Sequence, residues 1–242
     1  MSEDIYTPTY VQRLFDRMSS SYERMNYLTS FGFSLRWRRQ FLAGIPATTA
    51  PVVVIDLLTG MGETWGAVHR RFPNARLSAL DFSEGMLRHA RAKSVARYGG
   101  RVEVLHQDVL QNHLPSAHFD IVTCAFGLKT FNPEQLARLA QETLRILKPG
   151  GRFAFVEVSE PNVVLLRALY GLYLGSVIPV LGRVLLGDPA EYKMLWRYTS
   201  AFGHAKAAMA IFQEAGLQAA YTSHFYGCAT GFHGVKAVAA VG

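Results

Sequence analysis

The chain predicts a doubly wound α/β fold, a mostly parallel sheet covered by helices on both faces. Three observations carry this expectation. From residue 51 onward, short β-branched or apolar runs alternate with amphipathic helical patterns. The first run, VVVID (52–56), opens into a turn holding Gly60 and Gly62. The second and third runs end near acids, Asp81 in RLSALDF and Asp108 in VLHQDV. A chain of 242 residues suffices for one sizeable core with a cover over it.

Taken in order, residues 5–42 read as helices. Val11, Leu14, Phe15 and Met18 recur at helical spacing, as do Tyr22, Met25 and Asn26. The glycine of SFGFS interrupts this region before Leu35-Arg36-Trp37-Arg38. Strands are expected at 52–57, 76–81, 102–106, 119–125 and 152–158, and helices at about 64–71, 84–98 and 134–147. The heptapeptide LKPGGRF (147–153) holds a helix stop, a turn and a strand start. The segment 163–186 is the most apolar, but Arg167, Pro179, Arg183 and three glycines interrupt it. Those breaks favour short helices forming a hydrophobic cover over a membrane-spanning helix. A helix at 204–215 and strands near 217–226 and 231–239 complete the pattern. The expected organisation is an N-terminal helical cover (1–45) and a Rossmann-like domain (46–242) with a helical lid inserted at about 161–200.

Half the residues are apolar and 18% are charged, so an ordered core is expected. The net charge is +7, yet the basic residues are scattered apart from Arg36, Arg38 and Arg39. No basic stripe is interleaved with exposed aromatics, so nucleic acid is not an expected partner. The three arginines, beside Trp37 and Phe41, suit lipid headgroups instead. Cys124 and Cys228 form no metal or disulfide pattern, and no basic-then-apolar leader opens the sequence. A reducing cytoplasm is expected, with peripheral contact at the inner membrane. A homodimer is left open.

The ends of four parallel strands face one crevice in such a sheet, where ligands bind. The glycine turn lacks the third glycine of a nicotinamide site, whose place is held by Trp65, and no Lys-Ser/Thr makes it a P-loop. The loop can take an amino acid moiety, Asp81 the hydroxyls of a ribose, and Asp108 the amino group of adenine. Together these partners describe S-adenosylmethionine. The bland alternative, acids that only cap helices, suits Asp81 before Ser83-Glu84 but not the three features together.

Longer motifs carry a resemblance. FDRMSSSYERMNYLTSFGFSLRWRR (15–39), VIDLLTGMGE (54–63), ALDFSEGML (79–87), HFDIVTCAFGLKTF (118–131), RILKPGGRFAFVEVSEP (145–161) and GDPAEYKML (187–195) stand in the order of the UbiE/MenG quinone-biosynthesis methyltransferases. The chain resembles that family over nearly its whole length. The resemblance implies a class I S-adenosylmethionine-dependent methyltransferase fold and a polyprenylated quinone substrate. By motif position it implies cofactor contacts at Asp56, Thr59, Gly60, Gly62, Asp81, Phe82, Asp108, Val109 and Ala125.

The chain also departs from that pattern. Leu58 and Met61 replace small residues, Glu63 replaces Asp, and Lys129-Thr130 stands for Arg-Asn. Arg to Lys keeps charge but loses bidentate geometry. The tail YGCATGFHGVK (226–236) is also unlike the family's. TGMGE, GDPAEYKMLWRYTSAF and GCATGFHG resemble the rhodoquinone-biosynthesis enzymes (RquA type) within the superfamily. That resemblance implies replacement of a ring methoxy group of ubiquinone by an amino group, with S-adenosylmethionine as nitrogen donor and manganese (Mn2+) as metal. Hard oxygen donors suit manganese, and Glu63 and Glu157 are the acids least committed to the cofactor.

On the alternative, C-methylation of a polyprenyl quinol, positioning supplies most of the acceleration and a base takes one phenolic proton. Tyr22, Asn26, Lys129, Thr130 and Tyr192 are candidates to orient ring oxygens, although core packing explains the two tyrosines equally well. His233 is a candidate because it sits in the unusual tail. A third reading is a non-catalytic binding module that keeps the fold.

Overall fold

The computed structural model describes residues 4–19, 32–177 and 190–238. One seven-stranded sheet organises them, in the order β3-β2-β1-β4-β5-β7-β6. Its strands are β1 (Val52–Leu57), β2 (Ala75–Asp81), β3 (Glu103–His106), β4 (Phe119–Ala125), β5 (Leu147–Val158), β6 (Leu217–His224) and β7 (Ala229–Lys236). The first five pair in parallel, while β7 runs antiparallel between β5 and β6. Chain order reverses between β1 and β4, and ligands bind at such a switch point.

The helices are α1 (Pro8–Met18), α2 (Phe33–Gln40), α3 (Trp65–Arg71), α4 (Glu84–Tyr98), α5 (Pro133–Ile146), α6 (Val164–Leu172), α7 (Ala190–Phe202) and α8 (Lys206–Glu214). Their ends follow from local chemistry. Ser83 caps α4 by accepting from the Met86 amide, and Gly99 closes the helix in the left-handed region. Asn132 and Gln135 form a reciprocal capping box at α5, with Pro133 in the first turn.

Two apolar layers sandwich the sheet. One joins Ile55, Leu57 and Val122 to α5 and α8 through Leu139, Ala140, Ala208 and Phe212. Within it Phe155 stacks on Phe232 with centroids 5.4 Å apart, and Phe212 meets Phe232 edge-on at 4.9 Å. The other layer joins Val54, Leu77 and Ala79 to α2, α3 and α4. A third, smaller cluster lies outside the sheet, where Ile5, Leu14 and Met18 meet Tyr198 of α7. The Tyr198 hydroxyl donates to the Ile5 carbonyl at 2.5 Å. This cluster joins α1 to α7, with Tyr170 of α6 packed against it.

Among the described residues no helix is long and apolar enough to cross a membrane. Within 163–186, α6 is followed by a π-helical turn (Tyr173–Val177), and 178–189 lie outside the described residues. The expected strand 152–158 begins earlier, because Leu147 already pairs with Phe119 of β4. Strand β6 ends at His224 because Phe225 and Tyr226 take positive φ in the turn before β7, which runs from Ala229 to Lys236.

Candidate functional site

Two adjoining cavities open at the carboxyl ends of the parallel strands. The first, of about 520 Å³, is lined by the glycine turn through Thr59, Gly60, Glu63 and Thr64, and by Asp81, Phe82, Ala125, Phe126 and Thr130. Helices α1 and α2 add Phe15 and Arg38. The second, of about 370 Å³, is lined by Asp108, Val109, Leu110, Phe131 and Gln135, with Tyr6, Pro8 and Val11 closing it from the amino-terminal side. Leu58, Phe82 and Thr130 border both.

The glycine turn is held rigidly. Asp56, buried at the end of β1, accepts from the Thr59 hydroxyl at 2.6 Å and from the Thr123 hydroxyl at 2.7 Å. Trp65 donates its ring N–H to the same Thr59 oxygen at 2.8 Å. Burial pushes the Asp56 carboxyl up to about 6, against the two hydroxyl bonds that favour its charged form. Gly62 has φ +75°, and a Cβ there would lie 2.6 Å from the Trp65 ring. The turn therefore requires glycine at that position.

Asp81 ends β2 with both oxygens engaged, Oδ2 by the Gly60 amide at 2.8 Å and Oδ1 by the Ser83 amide at 3.0 Å. Burial raises its carboxyl above the ordinary range, opposed by these amides. Each carboxylate oxygen keeps a further lone pair for a hydroxyl donor. Asp108 accepts from the Leu110 amide at 2.8 Å at the mouth of the second, mostly apolar cavity. An aromatic base fits such a slot, with the acid at its rim.

Helix α1 is fastened to this rim. Asp16 accepts from the Ser83 hydroxyl at 2.6 Å and the Gly85 amide at 2.9 Å, at the start of α4. Gln12 donates to the Phe82 carbonyl at 2.9 Å, and Gln135 to the Tyr6 carbonyl at 2.9 Å.

Of the residues expected at the cofactor, Thr59, Gly60, Asp81, Phe82, Asp108, Val109 and Ala125 line the two cavities. Asp56 and Gly62 stand behind the loop and shape it. Thr130 borders both cavities, its hydroxyl donating to the Gly127 carbonyl at 2.7 Å.

Lys129 is different from expectation. Its ammonium turns into the protein, donating to Glu157 Oε1 and to the Phe126 carbonyl, both at 2.8 Å. Its backbone amide donates to Glu157 Oε2 at 3.1 Å. Lys129 thus braces the loop after β4 and borders neither cavity.

The same contacts correct Glu157 as a metal ligand. Both its oxygens accept from Lys129, whose ammonium already balances the carboxylate's charge, and Oε1 also accepts from the Val158 amide at 2.7 Å. Among the described residues no group of three or more His, Cys, Asp or Glu side chains is placed to hold a metal ion. Glu63 alone does not make a manganese site, so the residues present do not fit that metal.

His233 is corrected too. It pairs with Ala154 in mid-strand, and its ring packs against Gly44, where a Cβ would lie 2.2 Å from Cγ. The tail serves the sheet, with Thr230 accepting from the Ala205 amide at 2.9 Å. Tyr22 and Asn26 lie outside the described residues, as does the side chain of Tyr192 on α7.

Sequence reasoning missed Phe15, Arg38 and Phe126 as cavity walls. Arg38 is buried, and its guanidinium lies 4.8 Å from the centroid of the Phe126 ring. Only its place among three clustered arginines marked it in the sequence.

The fold matches solved S-adenosylmethionine-dependent methyltransferases. The apo form of the methyltransferase SibL superposes with a TM-score of 0.65 at 21% identity, covering 92% of this chain and 62% of that one. A methyltransferase from Thermotoga maritima gives 0.64 at 17% identity, covering 93% and 99%. In sequence, the demethylmenaquinone methyltransferase of Listeria monocytogenes serotype 4a is 31% identical over 229 residues, 93% of this chain and 95% of the relative. That of Thermus thermophilus is 34% identical over 216 residues, 89% and 96%. Residues 4–236 match the ubiE/COQ5 methyltransferase family, and the chain belongs to that family.

Proposed function

We propose that the protein is an S-adenosylmethionine-utilising transferase that modifies the ring of a polyprenyl quinone. The observation carrying this reading is the pair of adjoining strand-end cavities, one with Asp81 beside the glycine turn, the other with Asp108 at an apolar slot. Asp81 would hold the ribose hydroxyls and Asp108 the adenine amino group, with Phe82 and Val109 lining the same cavity as Asp108. When bound, S-adenosylmethionine supplies the transferred group, a methyl from its sulfonium or nitrogen from its amino acid end.

The ring is held where the two cavities meet, beside Thr130. The Thr130 hydroxyl donates to Gly127, so its lone pairs remain to accept a hydrogen bond from a phenolic hydroxyl of the ring. Leu58, Phe15 and Phe126 exclude water from the reacting atoms. Exposed Val164, Leu165, Leu169 and Leu172 of α6, and exposed Phe225 and Tyr226, support a peripheral membrane contact. Flotation with anionic vesicles is the expected outcome.

At finer grain, the reading for this chain is rhodoquinone-type amino transfer, replacing a ring methoxy group of ubiquinone. Its support is the position of the departures, since Leu58, Glu63 and Thr130 all border the cavities. The second reading, C-methyl transfer to a polyprenyl quinol, has the broader support of the relatives, which are named demethylmenaquinone methyltransferases. Purified protein incubated with S-adenosylmethionine and either ubiquinone or a demethylated quinol distinguishes them by product mass, with and without added divalent metal. Exchange of methoxy for amino, with nitrogen label arriving from the cofactor, is the expected result. A product gaining one methyl establishes the second reading, and no change with either substrate overturns both.

A further inference from the structure

Seven buried side-chain polar atoms lack a hydrogen-bond partner among the described residues. Only two of them belong to an arginine or a carboxylate, Arg38 Nε and Glu63 Oε1. Both residues line the first cavity. They come from distant parts of the chain, Arg38 from α2 and Glu63 from the glycine turn.

Each is half-satisfied in a way that fixes it and leaves a functional edge unused. Glu63 Oε2 accepts from the Met61 amide at 3.1 Å, which orients the carboxylate, while Oε1 has no donor. Arg38 is laid over the Phe126 ring, and Phe126 is held at φ +69° at the end of β4. No ion pair joins Arg38 to Glu63. Both act on Asp56, Glu63 raising and Arg38 lowering its carboxyl, so both charges stand close to the end of β1.

A buried charged group with an unused donor or acceptor is costly unless a ligand completes it. Packing of Arg38 on Phe126 explains its stacking but not the open Nε. Two opposite charges lining one cavity match a zwitterion. We propose that Arg38 and Glu63 form a two-sided clamp for the amino acid end of the nucleoside ligand, Arg38 on its carboxylate and Glu63 on its ammonium. This rests on the reading of the cavity as the S-adenosylmethionine site. It makes Arg38 and Glu63 binding residues that select a complete amino acid end.

Calorimetry with three probes tests it: S-adenosylhomocysteine, decarboxylated S-adenosylmethionine, which lacks the carboxylate, and 5′-methylthioadenosine, which lacks the whole amino acid. Wild type should bind the homocysteine nucleoside about tenfold or more tighter than either truncated probe. Arg38→Met should lose about tenfold toward S-adenosylhomocysteine and nothing toward the two probes without a carboxylate. Glu63→Gln should weaken S-adenosylhomocysteine and the decarboxylated ligand, which keep the amine, and leave methylthioadenosine unchanged. Equal wild-type affinity for all three probes overturns the clamp while leaving the nucleoside site intact. This comparison needs no variant to fold. Absence of binding by all three overturns the site itself, and the clamp with it.

Discussion

At the scale of single residues, the Lys129–Glu157 pair has a clear energetic signature. Both side chains are buried, and Glu157 takes three donors, two of them from Lys129. Removing one partner of a buried pair strands the other charge at a cost of about 3–5 kcal/mol. Lys129→Met should therefore lower unfolding free energy by that order in urea titrations. Adding Glu157→Gln should recover part of the loss, because the stranded charge is then removed. A loss under about 1 kcal/mol for the single variant would mark the pair as exposed in solution. Sequence reading placed this lysine at the substrate because it stands where the family has Arg. The residue type was legible, but its direction was not, since a charge turns toward whatever acid the fold brings within reach.

Among elements, α1 is the one whose role depends most on contacts distant in sequence. Its apolar face carries Val11, Leu14 and Met18, as the spacing predicts. What holds it over the cavities is Asp16 at the start of α4, joining two helices far apart in the chain. A carboxylate at a helix N-terminus satisfies orphan amides and complements the helix dipole. Asp16→Ala should cost about 1–2 kcal/mol of stability in thermal or urea unfolding. It should also weaken nucleoside binding, because Tyr6, Val11 and Phe15 wall the two cavities. Unchanged affinity alongside the stability loss would show that α1 does not close the site. The helix and its buried face were readable from period alone, whereas its docking partner was not.

For the molecule as a whole, the buried acids of the crevice set a pH dependence of folding. Asp56 has its carboxyl raised from 3.8 to about 6, chiefly by burial. A raised acid binds its proton more readily folded than unfolded, so its contribution to stability grows as pH falls through 6 toward 4. Asp56→Asn removes that contribution. Between about pH 7 and pH 5, wild type should gain about 1 kcal/mol relative to Asp56→Asn. Comparing paired melts cancels the other carboxylates, among them Glu142, which its Arg145 and Asn112 partners pull downward. A difference that does not change with pH would mean that Asp56 is hydrated in the folded protein.

The sequence by itself determined the alternation of strands and helices, the glycine turn after β1 and the acids at two strand ends. These rest on local rules of side-chain period, capping and turn geometry, which need only neighbouring residues. The family resemblance was legible for the same reason, since its motifs are contiguous stretches. Tertiary structure alone decided which polar groups are used up and which remain open. It turned Lys129 and Glu157 onto each other, set His233 against Gly44, and brought Arg38 from α2 to the cavity that Glu63 also lines. The physical reason is that hydrogen bonding and burial saturate in three dimensions. A side chain's chemistry is spent on whichever partner the packing delivers, and sequence spacing does not encode that partner.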